Sequence, residues 1–542
     1  MPLSLLAIAA TAALLLGVIF KWLRRRSLTT VRGPPSPSLL LGHEHALSTQ
    51  EEVGILEFEW LWEYGPTWKI GGNFGTDLLM TADPKALQHI FHKSGYNYTK
   101  RTSANYMGYM LSGPGIVVSL DKDHQRHRKI MNPAFNAAHL KTFLPLFQRI
   151  SSKMVEQWKA ELSGTEQMHI MVNKWLSRAT LDIIGEAAFD YDYGALNGAK
   201  SSPLNKAYDN IFKDISFQPP AAFAIFNATW DYVPETLIKL VQFIPVNPFT
   251  RMLNLKNLFT EYGKQILREQ RSEVDVEKPS NSRDVMSILI KANASADPKT
   301  RLTDAELMAE MYTLTLAGHE TTSSTLTFLT YELARHPEYQ ARMRKEIQDR
   351  RALAAARGDA DFTVEDLDSL SLTVNAIKET LRFHPIVPQL FRVAVKDDVI
   401  PLSHPVVSTT GETITEVPVQ AGQVIVTSFA AYHRLKDVWG DDADVWNPDR
   451  FFRPETGKHT NVGVFSNLMS FSAGVRACIG WRFSLIEMQA ILAETLENFE
   501  VALPEEKLEI KRAPMGPIML PVVVGKEELG SVMPLRVSLV QQ

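Results

Sequence analysis

Cysteine is almost absent: Cys478 is the only one in 542 residues. A single thiol excludes an intramolecular disulfide, and with it a small secreted scaffold stapled by bridges. It also excludes cysteine-rich zinc sites and iron–sulfur clusters, each of which needs several thiolates. Positive charge is not in excess either, because 57 Lys and Arg stand against 61 Asp and Glu for a net charge of −4. Nucleic-acid binding leaves a basic footprint, so this balance argues against that partner. Internal repeats and low-complexity tracts are missing. The 45% hydrophobic and 22% charged shares are those of a globular protein. Long apolar runs are missing too, with one exception.

That exception is Leu3 to Phe20, LSLLAIAATAALLLGVIF, apolar apart from Ser4 and Thr11. At the helical rise it is about 27 Å long, enough to cross an endoplasmic-reticulum bilayer. Lys21, Arg24, Arg25 and Arg26 follow, and no basic side chain precedes it. This asymmetry puts the following chain in the cytosol. Residues 1–20 are therefore expected to be an uncleaved single-pass anchor in the endoplasmic reticulum. Residues 21–45 form a basic and proline-rich hinge, where Pro34, Pro35 and Pro37 favour a stiff, extended spacer. Residues 46–542 are expected to be one cytosolic body.

Within the body, TWKIGGNF (Thr67–Phe74) and DLLMTA (Asp77–Ala82) alternate like strands, and Val393 to Phe429 returns to that pattern. Pro84–Phe91, Phe143–Leu162 and Asn257–Arg271 have helical periodicity. Many helices with few strands, and no regular βαβ alternation, indicate a mainly α protein with small β-sheets. The clearest helix begins at Thr303, where Thr303 and Glu306 form a capping box, and ends before Pro337. It is about 33 residues long, roughly 50 Å. Its centre reads AGHETT, Ala317 to Thr322. Gly318 costs about 1 kcal/mol relative to alanine there. Thr321 and Thr322 compete for backbone carbonyls, so the centre is expected to be locally weakened. Ala317, Glu320 and Thr321 share one face. Two readings stay open: a kink with a satisfied buried threonine, or a ligand opening beside a hydroxyl and a carboxylate that can relay protons.

A second helix, near Thr373 to Phe383, carries Glu379 and Arg382 three residues apart, a spacing common on exposed helices. The PIVP segment after it leads to Phe391-Arg392. Near the C-terminus, FSAGVRACIG (Phe471–Gly480) sets the lone cysteine in a glycine-flanked, arginine-bearing turn. Alone, Cys478 reads most simply as a small core residue.

In order, AGHETT, ETLR (Glu379–Arg382), WNPDRF (Trp446–Phe451) and FSAGVRACIG resemble the cytochrome P-450 family of haem-thiolate monooxygenases. The last segment matches the family's F-x-x-G-x-R-x-C-x-G at every specified position, and the resemblance covers essentially the whole chain. It implies a cytochrome P-450 fold, with one catalytic domain behind an N-terminal transmembrane helix. It implies haem b with Cys478 as the axial thiolate ligand of the iron. Arg476, Arg392 and Arg128 would reach the haem propionates. His124 stands where members commonly carry tryptophan, and it too can donate to a propionate. Phe471, Gly474 and Gly480 complete the cofactor segment, the glycines allowing close backbone approach to the macrocycle. Glu379, Arg382 and Arg450 resemble a structural ion-pair triad beneath the cysteine loop. Thr321 resembles the threonine that steadies dioxygen, and Glu320 the acid that delivers protons.

No flavin or nicotinamide fingerprint is present, so electrons from NADPH must come through a partner, an NADPH–cytochrome P-450 reductase, with Lys129 a candidate for its docking face. Isomerase or dehydratase relatives and a non-enzymatic haem sensor are the alternatives. The intact Glu320-Thr321 pair speaks against both. By resemblance the substrate pocket involves Tyr106, Met107, Met110, Leu314, Ala317, Ile386, Val387, Pro388 and Met515. All are apolar or aromatic, which favours a bulky hydrophobic substrate, and each can equally be core. The run Phe217–Phe249, with Phe223, Phe226, Trp230 and Phe243, suits lipid contact or ordinary packing. The texture resembles fungal members, so terpenoid or other secondary-metabolite tailoring is expected, with xenobiotic or fatty-acid oxidation as rivals.

Overall fold

Small sheets flank a body of long helices in the computed structural model, which describes residues 28–197, 220–244, 247–275, 284–453 and 460–540. The first strands are β1 (Thr67–Gly71), β2 (Asp77–Thr81), β3 (Tyr98–Thr99) and β4 (Gln167–Met171). The middle group is β5 (Gln389–Ala394), β6 (Asp398–Val407), β7 (Thr413–Val419) and β8 (Val424–Ser428). The last are β9 (Phe499–Ala502), β10 (Ile510–Met515), β11 (Ile518–Val523) and β12 (Pro534–Leu539). One sheet has the order β1-β2-β8-β5-β3, a second β4-β12-β9, and two are the hairpins β6-β7 and β10-β11. In the first, β1 and β2 pair antiparallel from Thr67↔Thr81 to Gly71↔Asp77, while β8 runs parallel to β2.

The helices that position the site are α1 (Thr102–Ser112), α2 (Asp121–Met131), α3 (Leu144–Leu162) and α4 (Val172–Phe189). They are followed by α5 (Asn247–Asp275), α6 (Asp304–Arg335), α7 (Ser371–Phe383) and α8 (Trp481–Asn498). The sequence expectation of a mainly helical protein with small sheets is met.

Helix α6 crosses the core and is buried along most of its length. Its capping box is formed, with Thr303 N–H donating to the Glu306 carboxylate at 2.7 Å and Glu306 N–H to Thr303 Oγ1 at 3.3 Å. The expected weak centre does not interrupt it. Thr321 Oγ1 donates back to the Ala317 carbonyl at 2.7 Å, and Thr325 Oγ1 to the Thr321 carbonyl at 2.8 Å. The hydroxyls thus add to the helical ladder rather than replace it. Gly318 has a packing reason: a Cβ there would lie 2.9 Å from Ile184 on α4.

The proline-rich segment departs from expectation. Leu28 and Val31 are buried, and Lys69 N–H donates to the Arg32 carbonyl at 2.8 Å. His43 and Gly71 exchange two bonds, one from His43 N–H and one to His43 Nδ1. Residues 28–45 are therefore stitched along β1 and belong to the body rather than to a free spacer. Residues 1–20 lie outside the described residues, among which no helix is long and apolar enough to cross a membrane. The aromatic run also divides. Phe223, Phe226 and Trp230 pack with Phe249, Tyr106 and Met110 in a second small core, whereas Phe243 is 74% exposed and Phe217 lies outside the described residues.

Glu379 and Arg382 are not a surface pair. Both are fully buried on α7, with Arg382 Nε and Nη2 on the two Glu379 oxygens at 2.9 and 2.7 Å. Arg450 Nε reaches the same carboxylate at 3.0 Å, and Asn447 N–H at 2.7 Å. Arg382 also donates to the carbonyls of His433 and Ala443 at 2.6 Å each. Every charge is therefore hydrogen-bonded, the condition under which buried ions persist. Removing one partner strands the others. Glu379→Ala is expected to lose about 3–5 kcal/mol of stability in urea unfolding. A loss under about 1 kcal/mol, the range of an exposed pair, would contradict this reading.

Candidate functional site

The cysteine segment is a backbone-tied loop. Cys478 N–H donates to the Phe471 carbonyl at 2.8 Å and Ala477 N–H to that of Gly474 at 3.1 Å. Gly474 sits at φ +64°, and a Cβ there would fall 1.7 Å from the Phe91 carbonyl oxygen. Its lack of a side chain thus serves close approach within the protein itself. Gly480 precedes α8, and the Cys478 sulfur meets the N–H groups of Gly480 and Trp481 at the start of that helix. Burial pushes the Cys478 thiol up, while those amides and Arg128 work against that rise. The thiol opens onto a cavity of about 660 Å³, whose wall includes Tyr96, Arg128, Phe135, Val475, Ile479 and Trp481. Cys478 is exposed on this concavity, whose wall also includes the exposed side chains of Gln125 and Lys129.

Cations gather nearby. Arg392, on β5, is buried with its guanidinium 5.2 Å over the Phe91 ring, and burial followed by Arg476 pushes it down to about 10. Arg476 donates Nη1 to the Ser119 carbonyl at 3.0 Å and lies 5.2 Å over the Tyr96 ring. Lys100 is held well below the usual lysine range by burial, Arg476 and Arg392. Asp121 acts on Arg476, but among the described residues no carboxylate acts on Lys100 or Arg392. Buried Arg476 Nη2 and Arg128 Nε have no hydrogen-bond partner among the described residues. A surplus of buried positive charge with free donors is a site for an anionic ligand. Arg128 differs from expectation in its present partner, since its Nη2 donates to the Ala477 carbonyl, beside Cys478. His124 has its Nδ1 2.8 Å from the Tyr96 hydroxyl. Burial, then Arg476, Arg128, Lys100 and His127, push it down to about 3, so its imidazole is neutral.

In the middle of α6, Ala317 is exposed and Thr321 half-buried, while Leu314 and Thr322 on adjoining turns are buried. An opening therefore interrupts the packing at the AGHETT segment without a kink. Glu320 Oε2 lies 3.3 Å from His319 Nε2, and burial pushes the Glu320 carboxyl up to about 7. Of the expected pocket residues, Ala317 is the exposed one, and Met107 and Val387 are half-buried. Tyr106 and Met110 instead belong to the second core, and Leu314, Ile386, Pro388 and Met515 are buried. Packing decides these positions, which residue type alone did not.

Lys100 and His319 escaped the sequence reading. Lys100 stands beside Arg101, which pairs with Glu44 and Asp231, and no spacing separates the two cations. His319 lies inside the AGHETT motif itself, where the polar run was the available signal.

The two loop glycines are expected to behave differently. Gly474→Ala must place a Cβ on a carbonyl oxygen in left-handed backbone, and is expected to cost more than about 2 kcal/mol. Gly480→Ala meets nothing nearer than the Phe135 ring at 4.0 Å, so it is expected to stay within about 1 kcal/mol. Chemical denaturation of both variants measures the contrast.

Comparison with known proteins agrees with this geometry. The sequence profile described as Cytochrome P-450 matches residues 32–524. Cytochrome P-450 monooxygenase 81 of Postia placenta is 31% identical over 98% of this chain and 97% of its own. Cytochrome P-450 monooxygenase claQ of Ampulloclitocybe clavipes is 30% identical over 97% of each. Ganoderic acid synthetase of Ganoderma lucidum is 30% identical over 93% of this chain and 94% of its own. A profile that spans nearly all of the body, with fungal relatives matched almost end to end, makes this chain a member of the cytochrome P-450 monooxygenase family of oxidoreductases.

Proposed function

We propose that this enzyme inserts one oxygen atom from O2 into a hydrophobic substrate, using electrons that a partner reductase takes from NADPH. The observation that carries this reading is Cys478 opening on a concavity that Arg128 also lines, together with the surplus cations Arg392, Arg476 and Lys100. Haem, the family's prosthetic group, fits these residues: Cys478 would hold it through its thiolate, and Arg392, Arg476 and Lys100 would answer its carboxylates, with Arg128 and His124 nearby. When bound, it supplies oxygen activation, with thiolate donation favouring O–O cleavage. The chain's own residues then position and protonate. Glu320, neutral below about pH 7, is the proton donor. Thr321 Oγ1, held on the Ala317 carbonyl, is the hydroxyl through which that proton is presented. Ala317 leaves room beside it for an apolar substrate.

Kinship with a ganoderic acid synthetase supports a tailoring step in fungal secondary metabolism, terpenoid substrates included. Exposed Lys122 and Lys129 on α2, the latter also on the wall of the cysteine cavity, support reductase docking there. Residues 1–20 are proposed as the anchor in the endoplasmic reticulum with the body in the cytosol. The exposed Leu237, Leu240 and Phe243 support a lipid-facing surface.

The test is reconstitution with haem, reductase, NADPH and O2. Product one oxygen atom heavier than substrate is expected. Cys478→Ala is expected to lose turnover and the red-shifted Soret band of the carbon-monoxide complex. Retention of that band would refute the thiolate assignment. The carboxyl of Glu320 ionises as pH rises through about 7. Product per NADPH is therefore expected to be high below that pH and to fall above it. Glu320→Gln is expected to remove the step and cut product per NADPH by about 10²-fold.

A further inference from the structure

Tyr96 lies on the wall of the cysteine concavity and touches two of the groups at its cationic edge. It precedes β3, where Tyr98 and Thr99 pair with Ala394 and Val393 of β5, the strand that carries Arg392. Lys100 follows directly on β3. The Arg476 guanidinium lies 5.2 Å over the Tyr96 ring, and the His124 ring meets it edge-on at 5.8 Å between centroids. The Tyr96 hydroxyl is 2.8 Å from His124 Nδ1. His124, 3% exposed, and Arg128 lie one turn apart on the same face of α2.

Donor counting gives the Tyr96–His124 bond a direction once an anion is present. Burial, then Arg476, Arg128 and Lys100, hold the His124 imidazole neutral. A neutral imidazole has one N–H and one acceptor nitrogen. A carboxylate only accepts, so His124 must meet one with its hydrogen on Nε2, which makes no hydrogen bond among the described residues. Nδ1 is then the acceptor and needs a donor. The Tyr96 hydroxyl is the group in place, and burial pushes that phenol up, so it keeps its hydrogen.

We propose that Tyr96 is a positioning residue for the cofactor: its hydroxyl donates to His124 Nδ1, which fixes the tautomer of His124 and leaves Nε2–H to donate to a haem carboxylate. This rests on the reading of His124 as part of the haem site. The role belongs to a histidine in particular. Tryptophan at 124 would carry one ring N–H that cannot move, and would need no partner to remain a donor.

The test is a double-mutant cycle on full-length, haem-loaded protein. It is read by the rate of haem transfer to an apoprotein acceptor and by the resonance Raman bending mode of the haem propionates. Tyr96→Phe keeps the ring and removes the hydroxyl. It is expected to release haem about tenfold faster, the scale of one hydrogen bond to a charged group, and to shift the propionate mode. In a His124→Trp background the same change is expected to move neither. His124→Phe has no donor at 124, gives the same expectation, and carries the cycle should His124→Trp take up no haem. The propionate mode of Tyr96→Phe decides alone if neither variant takes it up. An unmoved rate or mode in Tyr96→Phe overturns the proposal, and so does an effect that persists in the His124 backgrounds. Failure of the parent chain to bind haem overturns instead the reading of the site on which the proposal rests.

Discussion

One fully buried carboxylate, Glu379, receives two guanidinium groups and a backbone amide. Its partners are drawn from three stretches of chain: α7, the 433–445 region through the carbonyls that Arg382 binds, and the 447–450 turn. The cost of burying these ions is recovered only if all the bonds form together. Ser470, at the entrance to the cysteine loop, donates to the Leu381 carbonyl on the same helix, and Met469 N–H donates to His433. The loop that presents Cys478 is thus seated on a base with one satisfactory arrangement.

A second theme is uncompensated charge. Arg450 binds Glu379 and Asp442, so the triad is balanced and structural. Lys100, Arg392 and Arg476 are mutually repelling and partly undonated, so that edge is shaped for something negative from outside the chain. Similar residue types at similar depth therefore separate into scaffold and binding edge by whether their bonds are already made.

Much of this was legible in the sequence, for physical reasons. The α6 capping box is a local pairing, readable from four residues, and its end is written in Pro337. The cysteine segment carries its own backbone requirements in Gly474. What was not legible depends on long-range packing. The pair Glu379-Arg382 has a spacing shared by exposed and buried pairs, and only the surrounding carbonyls decide between them. Tyr106 and Met110 are apolar enough for a pocket wall, yet the aromatic cluster around Trp230 claims them. The prolines predicted an extended segment, but not that Arg32 and His43 would bond it to β1.

The close approach of α4 to Gly318 links positions 184 and 318 in how the protein can vary. A Cβ at 318 meets the far end of the Ile184 side chain, which a smaller residue could withdraw. At Gly474 the obstacle is a main-chain oxygen, which no substitution elsewhere removes. Across relatives that keep this architecture, residue 474 should stay fixed, whereas a gain of volume at 318 should coincide with a loss at 184. The first records a constraint of the backbone; the second, a negotiation between two helices.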